Sequence, residues 1–367
     1  MTTAPLHGIR IVEIAGIGPG PFCGMMLADH GAEVIRIERP GDAANPKDPL
    51  LRSRRTIALD LKNPVAIDAV RRIVATADGL IEGFRPGVME RLGLGPDILL
   101  AANPRLVYGR MTGWGQTGPL APQPGHDINY IAQSGVLHAL GPAGGKPHFP
   151  INLVGDFGGG GMMLAFGMLA AILQAKATGQ GQVVDCAMTE GSSVLMSMIW
   201  GFRAMGRWSD TRGTNLLDGG AHFYDTYETA DGKYVAIGAI EPQFYAALRS
   251  VLALDGAEWA AQFDPRQWPA LKQRLTEQFR TRTRDQWCVA FDGHEVCFAP
   301  VLSFEEAVVD PHNVARGAFV EAGGVTQPAP APRYSASATI APIMASAHDD
   351  TVLAELGFSD AEIAALR

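Results

Sequence analysis

The opening forty residues constrain the fold most. Ile9 to Ile14 is a β-rich apolar run, Gly16-Ile17-Gly18-Pro19-Gly20-Pro21 breaks it, Phe22 to His30 has helical character, and Val34 to Ile37 returns as a second short strand. This is a βαβ unit, which predicts an α/β fold built on a Rossmann-like parallel sheet. The glycines invite comparison with a dinucleotide fingerprint, with Glu38 standing where a ribose-binding acid would sit. Pro21 occupies the place of the third glycine, and Pro19 and Pro21 lack the N–H groups that a pyrophosphate-cradling turn uses. The turn therefore reads as a strand-to-helix connection or as an approach site for another ligand.

A chain of 367 residues is long for one core, and two domains are expected. The net charge of -8 argues against general nucleic-acid binding. Cys23, Cys186, Cys288 and Cys297 are scattered with no CxxC pair, which disfavours a zinc site or a disulfide framework. The longest apolar run, Gly161 to Leu173, falls short of the roughly 20 residues of a membrane span. No basic-then-apolar leader is visible at Met1–His7, so a cytoplasmic enzyme without a membrane segment is the expectation.

Arg39 to Pro64 reads as a loop carrying a local basic cluster: Arg36 just upstream, then Arg39, Arg52, Arg54, Arg55 and Lys62. In an acidic chain such a cluster suits phosphate groups, which the guanidinium fork binds bidentately. A solvated surface run is the equal alternative on these residues alone. Asn63 to Ala77 is predicted as an amphipathic helix burying Val70, Ile73 and Val74, and Gly79 to Phe84 as another strand.

Three segments then carry a family resemblance: Gly31-Ala32-Glu33-Val34-Ile35-Arg36-Ile37-Glu38, Gly83-Phe84-Arg85-Pro86-Gly87-Val88-Met89-Glu90-Arg91-Leu92-Gly93, and Gly113-Trp114-Gly115-Gln116-Thr117-Gly118-Pro119. They resemble the signatures of the class III coenzyme A transferase superfamily over nearly the whole chain. The resemblance implies acyl-CoA binding, a Rossmann-like large domain with a smaller α+β domain, and a homodimer of two interlocked chains. Within it, Gly125-His126-Asp127-Ile128-Asn129-Tyr130 is similar to the α-methylacyl-CoA racemase branch, which has a histidine at this point. The transferase branch relies on an aspartate corresponding to Asp156 as nucleophile. CoA transfer through Asp156 is thus one alternative, and a non-catalytic CoA-binding module is another.

The chemistry is argued independently. Inverting a carbon α to a thioester requires removing a proton on one face and delivering one on the other, which two acid–base groups do most simply. His126 and Asp156 are the candidates. Asp156 precedes Phe157-Gly158-Gly159-Gly160-Gly161 at the expected start of the apolar helix Met162 to Lys176. Backbone N–H groups around it are expected to meet charge on the enolate oxygen, with the glycines letting the thioester approach. Asn152 is placed to hydrogen-bond Asp156 or the substrate. The resemblance implies that Glu241 orients His126, although an acidic helix start needs no catalytic reason. The expected phosphate partners are Arg36, Arg39, Arg52, Arg54, Arg55 and Lys62, with Arg85 and Arg91 in addition. Coenzyme A is the handle of the substrate, and no metal or resident cofactor is expected. The domains are expected at 1–206 with 324–367 and at 222–313, joined by linkers at 207–221 and 314–323.

Overall fold

The computed structural model describes residues 3–42, 45–345, 348–349 and 351–366. Strands β1 (Arg10–Ile14), β2 (Glu33–Glu38), β3 (Arg54–Ala58), β4 (Gly79–Glu82), β5 (Val107–Thr112) and β6 (Gln182–Ala187) form one parallel sheet in the order β3-β2-β1-β4-β5-β6. Ile11 of β1 pairs with Val34 of β2 on one side and Gly79 of β4 on the other. The strand that opens the chain is therefore central, and the order reverses beside it. At such a switch point the connections diverge to opposite faces and leave a crevice at the carboxyl ends of the strands.

The helix after β1 runs Pro19–Asp29, starting at Pro19 rather than Phe22, with both prolines in a first turn that needs no N–H donor. β3 lies inside the stretch read as a basic loop. Its arginines disguise a strand because Arg54 is buried and Arg55 half-buried, each paired with acids. The predicted helix at 63–77 is observed as Pro64–Val74, with the Asn63 side chain accepting from the Val65 N–H.

Successive residues of β1 point to opposite faces. Ile9 and Ile11 pack beneath Cys23 and Leu27 of helix Pro19–Asp29 and Leu164 and Met168 of helix Met163–Thr178. Val12 and Ile14 pack with Val70, Ile73 and Val74. The C-terminal anchors Leu353 and Leu366 are buried in that second cluster, with Leu356 and Ile363 against it, so the end of the chain folds back as expected.

The chain divides into two compact units, 1–134 with 150–195 and 312–367, and 135–149 with 196–311. The second unit thus takes in 135–149 and 196–206, which the sequence reading assigned to the large domain. The expected linker at 207–221 supplies the reason. Arg212 reaches the His138 carbonyl at 2.7 Å, and Asp218 accepts from the N–H groups of Gly213, Asn215 and Gly220. The segment is a hydrogen-bonded loop belonging to this unit. Its sheet is β7 (Tyr224–Glu228), β8 (Tyr234–Gly238) and β9 (Phe298–Pro300), antiparallel, over a core that includes fully buried Phe223, Trp259, Phe279 and Trp287. In place of the expected return linker stand a helix, Pro311–Arg316, and β10 (Phe319–Ala322), which pairs antiparallel with β11 (Val325–Pro328).

The predicted helix Met162–Lys176 begins earlier. A π-helical stretch, Leu153–Met162, runs directly into α-helix Met163–Thr178. Together Leu153–Thr178 is 26 residues, apolar and long enough to cross a membrane by length and composition. It carries Leu164, Met168 and Ile172 into the core against the sheet, as the central helix of a folded α/β unit does.

Candidate active site

A cavity of about 880 Å³ opens in the first unit at the carboxyl ends of β1, β4 and β5, the switch point of the sheet. Ile81, Met111, Trp114 and Phe157 supply apolar walls, and Arg85, His126, Asn129, Asn152 and Asp156 reach into it.

His126 is the residue before helix Asp127–Gln133, in extended conformation, and its N–H donates to Asn129 Oδ1 at 3.0 Å. The Tyr130 hydroxyl donates to the carbonyl of Gly125, the residue before His126, and the Trp114 ring meets Tyr130 edge-on at 4.8 Å. A side chain at Gly113 or Gly125 would strike the Tyr130 ring. The aromatic pair therefore clamps the peptide that presents the imidazole.

Asp156 lies in the π-helical stretch, whose wider turns occur often at functional sites. The Phe157 N–H reaches back five residues to the Asn152 carbonyl at 3.3 Å. The Asn152 side chain donates to Asp156 Oδ2 at 3.1 Å, and the Asp156 N–H donates to Asp127 Oδ1 at 2.8 Å. Gly18, with φ of 66°, lies so close that a side chain there would come within 3.1 Å of Asp156 Oδ2. Burial is the main cause that raises the Asp156 carboxyl above its usual range. Asn152 opposes it, Asp127 adds to it, and His126 opposes it.

Two expectations at this site are corrected. The N–H groups of Asp156 and Phe157 are already spent on Asp127 and Asn152, so they are not oxyanion donors. Among the described residues, the N–H groups of Asp127 and Ile128 have no acceptor, as the first turn of a helix leaves them. The glycine run serves packing: Gly159 abuts Ser192, Gly160 abuts Met188 and Pro19, and Gly161 abuts Phe22. Asp127 was missed as a site residue, because an acid in a first helical turn is favoured by the dipole and draws no attention.

The basic cluster is corrected more extensively. Arg36 pairs with Glu13 and with Glu38 at 2.8 Å, and Arg54 pairs with the same Glu13 at 2.6 Å, all of them buried. Arg54 also donates to the Pro21 carbonyl, and a side chain at Gly24 would collide with Glu13 and Arg54. This charge network sits under helix Pro19–Asp29 and holds the turn at the mouth of the cavity. Arg52 is buried on Asp29 and bonds Gln327 at 2.8 Å. Arg55 is taken up by Glu33, Asp349 and Glu355. These four arginines are structural, and Glu38, held by Arg36, is not a ribose ligand. Arg39, Lys62, Arg85 and Arg91 are exposed, and Arg85 lines the cavity. Glu241, in the second unit, is the exposed residue before helix Pro242–Val251 and makes no capping bond with its side chain.

The chain is similar to α-methylacyl-CoA racemase of Mus musculus, with 47% identity over 98% of this chain and 95% of that one. It is 45% identical to α-methylacyl-CoA racemase of Homo sapiens over the same shares. A crystal structure of a CAIB/BAIF family protein from Brucella suis superposes with a TM-score of 0.84 and 25% identity, covering 97% of this chain and 100% of that one. The profile of CoA-transferase family III matches residues 6–347. With that match across its length and a parallel sheet that opens a cavity at its switch point, the chain belongs to CoA-transferase family III.

Proposed function

We propose that the protein is an isomerase that interconverts (R)- and (S)-2-methylacyl-CoA thioesters by 1,1-proton transfer through an enolate. The observation that carries this reading is that His126 and Asp156, two proton carriers presented by different elements, line one cavity. In one direction neutral His126 removes the α-proton, the electron pair moves onto the thioester oxygen, and the Asp156 carboxylic acid protonates the opposite face. In the other, Asp156 carboxylate removes the proton and the imidazolium returns one. Each such transfer contributes about 10²–10⁴-fold. The raised Asp156 carboxyl favours its turn as the proton donor. The unpaired N–H groups of Asp127 and Ile128, in the helix turn that follows His126, are candidate donors for the enolate oxygen.

Asn152 aims Asp156, and Glu241 orients His126. The CoA phosphates are met by Arg39, Lys62, Arg85 and Arg91. The enzyme works as a cytoplasmic homodimer. Phe166 and Leu173, exposed seven residues apart on helix Met163–Thr178, support self-association, because large apolar side chains left on one helix face mark an interface.

The test is incubation with one enantiomer of a 2-methylacyl-CoA in D₂O, following α-deuteration and configuration together. Deuterium entry with convergence of the enantiomers, abolished in His126→Ala, is the expected outcome. Retention of configuration without label, with CoA passing to an added carboxylate, establishes transfer through Asp156 instead. CoA binding with neither change makes this a binding module.

A further inference from the structure

We infer that Asp127 is a positioning residue that aims Asp156 and sets its strength as a base through an unpaired, buried carboxylate oxygen. The inference rests on the racemase reading for its kinetic consequence and on geometry for its substance. Asp127 is only 6% exposed. Its Oδ1 accepts the Asp156 N–H at 2.8 Å, while its Oδ2 is buried with no hydrogen-bond partner among the described residues. The fit is close, since a side chain on Gly155 would approach Asp127 Oδ1 to 2.4 Å. Only glycine admits this contact.

A carboxylate that serves only to hold a backbone N–H has no need to bury its second oxygen away from every protein donor, which is costly. Here that oxygen is left without a counter-charge beside a second carboxyl group. Like charges at short range disfavour joint ionisation. The other groups that bear on Asp156 are His126, whose charge opposes the effect, and Asn152, which donates to it. Tyr130 and Arg85 line the same cavity, and the start of helix Pro19–Asp29 presents only Gly18 to the carboxylate. Among the described residues, Asp127 is the acid that bears on Asp156, and it acts in the same direction as burial. One residue on the histidine's own helix therefore tunes its partner acid.

Asp127→Asn keeps an oxygen for the Asp156 N–H and removes the charge. The experiment is the pH profile of kcat/KM for racemisation of a 2-methylacyl-CoA by the full-length enzyme. With the enantiomer whose α-proton the Asp156 carboxylate removes, the acid limb in Asp127→Asn is expected to move to lower pH, because Asp156 loses the like charge that holds its carboxyl up. An acid limb that stays in place, at whatever rate, makes Asp127 purely structural and overturns the proposal. A second measurement does not depend on the variant folding or on turnover. With ¹³Cγ-labelled aspartate in the unsubstituted protein, the Asp156 resonance, assigned by its loss in Asp156→Asn, is expected to titrate above the usual aspartate range in two coupled steps. A single step within the usual range overturns the coupling. A coupled titration in a protein that fails to racemise overturns the reaction class and leaves the Asp127–Asp156 coupling standing.

Discussion

Glu13, Arg36 and Arg54 show why residue type alone misleads. A run of arginines in an acidic chain resembles a phosphate site, yet what decides is whether each charge already has a partner: the parallel pairing of β1 with β2 sets Glu13 beside Arg36, and Arg54 reaches the same acid from β3. Removing one member of a buried ion network leaves an uncompensated charge and costs about 3–5 kcal/mol. Arg54→Ala is expected to lose stability on that scale in chemical denaturation. Arg85→Ala, altering an exposed cation at the cavity, is expected to leave stability unchanged and to raise KM for acyl-CoA about tenfold or more, the worth of one charge-assisted hydrogen bond. A fall in stability for Arg85→Ala with KM unchanged would reverse the two assignments. His126 and Asp156 were legible through the family resemblance, and Asn152 through its place four residues before Asp156, to which it is found to donate. The role of Asp127 was not, since it depends on a contact between residues 29 positions apart.

At the level of elements, the site is made by two helix starts and an expanded turn. Helix Asp127–Gln133 presents His126, the π-helical stretch presents Asp156, and the start of helix Pro19–Asp29 closes on the carboxylate through Gly18. The clamp of Trp114 and Tyr130 sets the first of these. Tyr130→Phe keeps the ring between Gly113 and Gly125 but removes the bond to the Gly125 carbonyl. That bond is worth about 0.5–1.5 kcal/mol of stability. The larger expected effect is on kcat, about tenfold or more with KM unchanged, because small errors in the aim of a proton carrier are costly. Steady-state kinetics of the variant check this, and a change confined to KM would refute the clamp. The π-helical stretch itself was not readable. Its glycines read either as a thioester approach or as tight helix packing, and the contacts of Gly159 and Gly160 with Ser192 and Met188 favour the packing.

At the scale of the whole molecule, the exposed apolar residues of helix Met163–Thr178 make the remaining prediction. Sedimentation or light scattering is expected to give twice the chain mass of 39.0 kDa. Phe166→Asp with Leu173→Asp is expected to shift the protein to the single-chain mass, and an unsubstituted protein that already runs as one chain would refute the dimer. The sequence by itself determined the α/β class, the central βαβ unit and the return of Leu353 and Leu366 to the first core, because hydrophobic periodicity and turn chemistry are local and survive without a partner strand, and its motifs at 31–38, 83–93 and 113–119 carried the resemblance to the family. Tertiary structure alone decided that β3 is a strand, that 207–221 is an ordered loop, and that four arginines are spent on acids. It also decided that Asp127 sits under Asp156. Each of these turns on which charges and backbone groups are brought together across long stretches of chain, and in a folded interior it is the partner, not the residue type, that determines whether a polar group is structural or free to act.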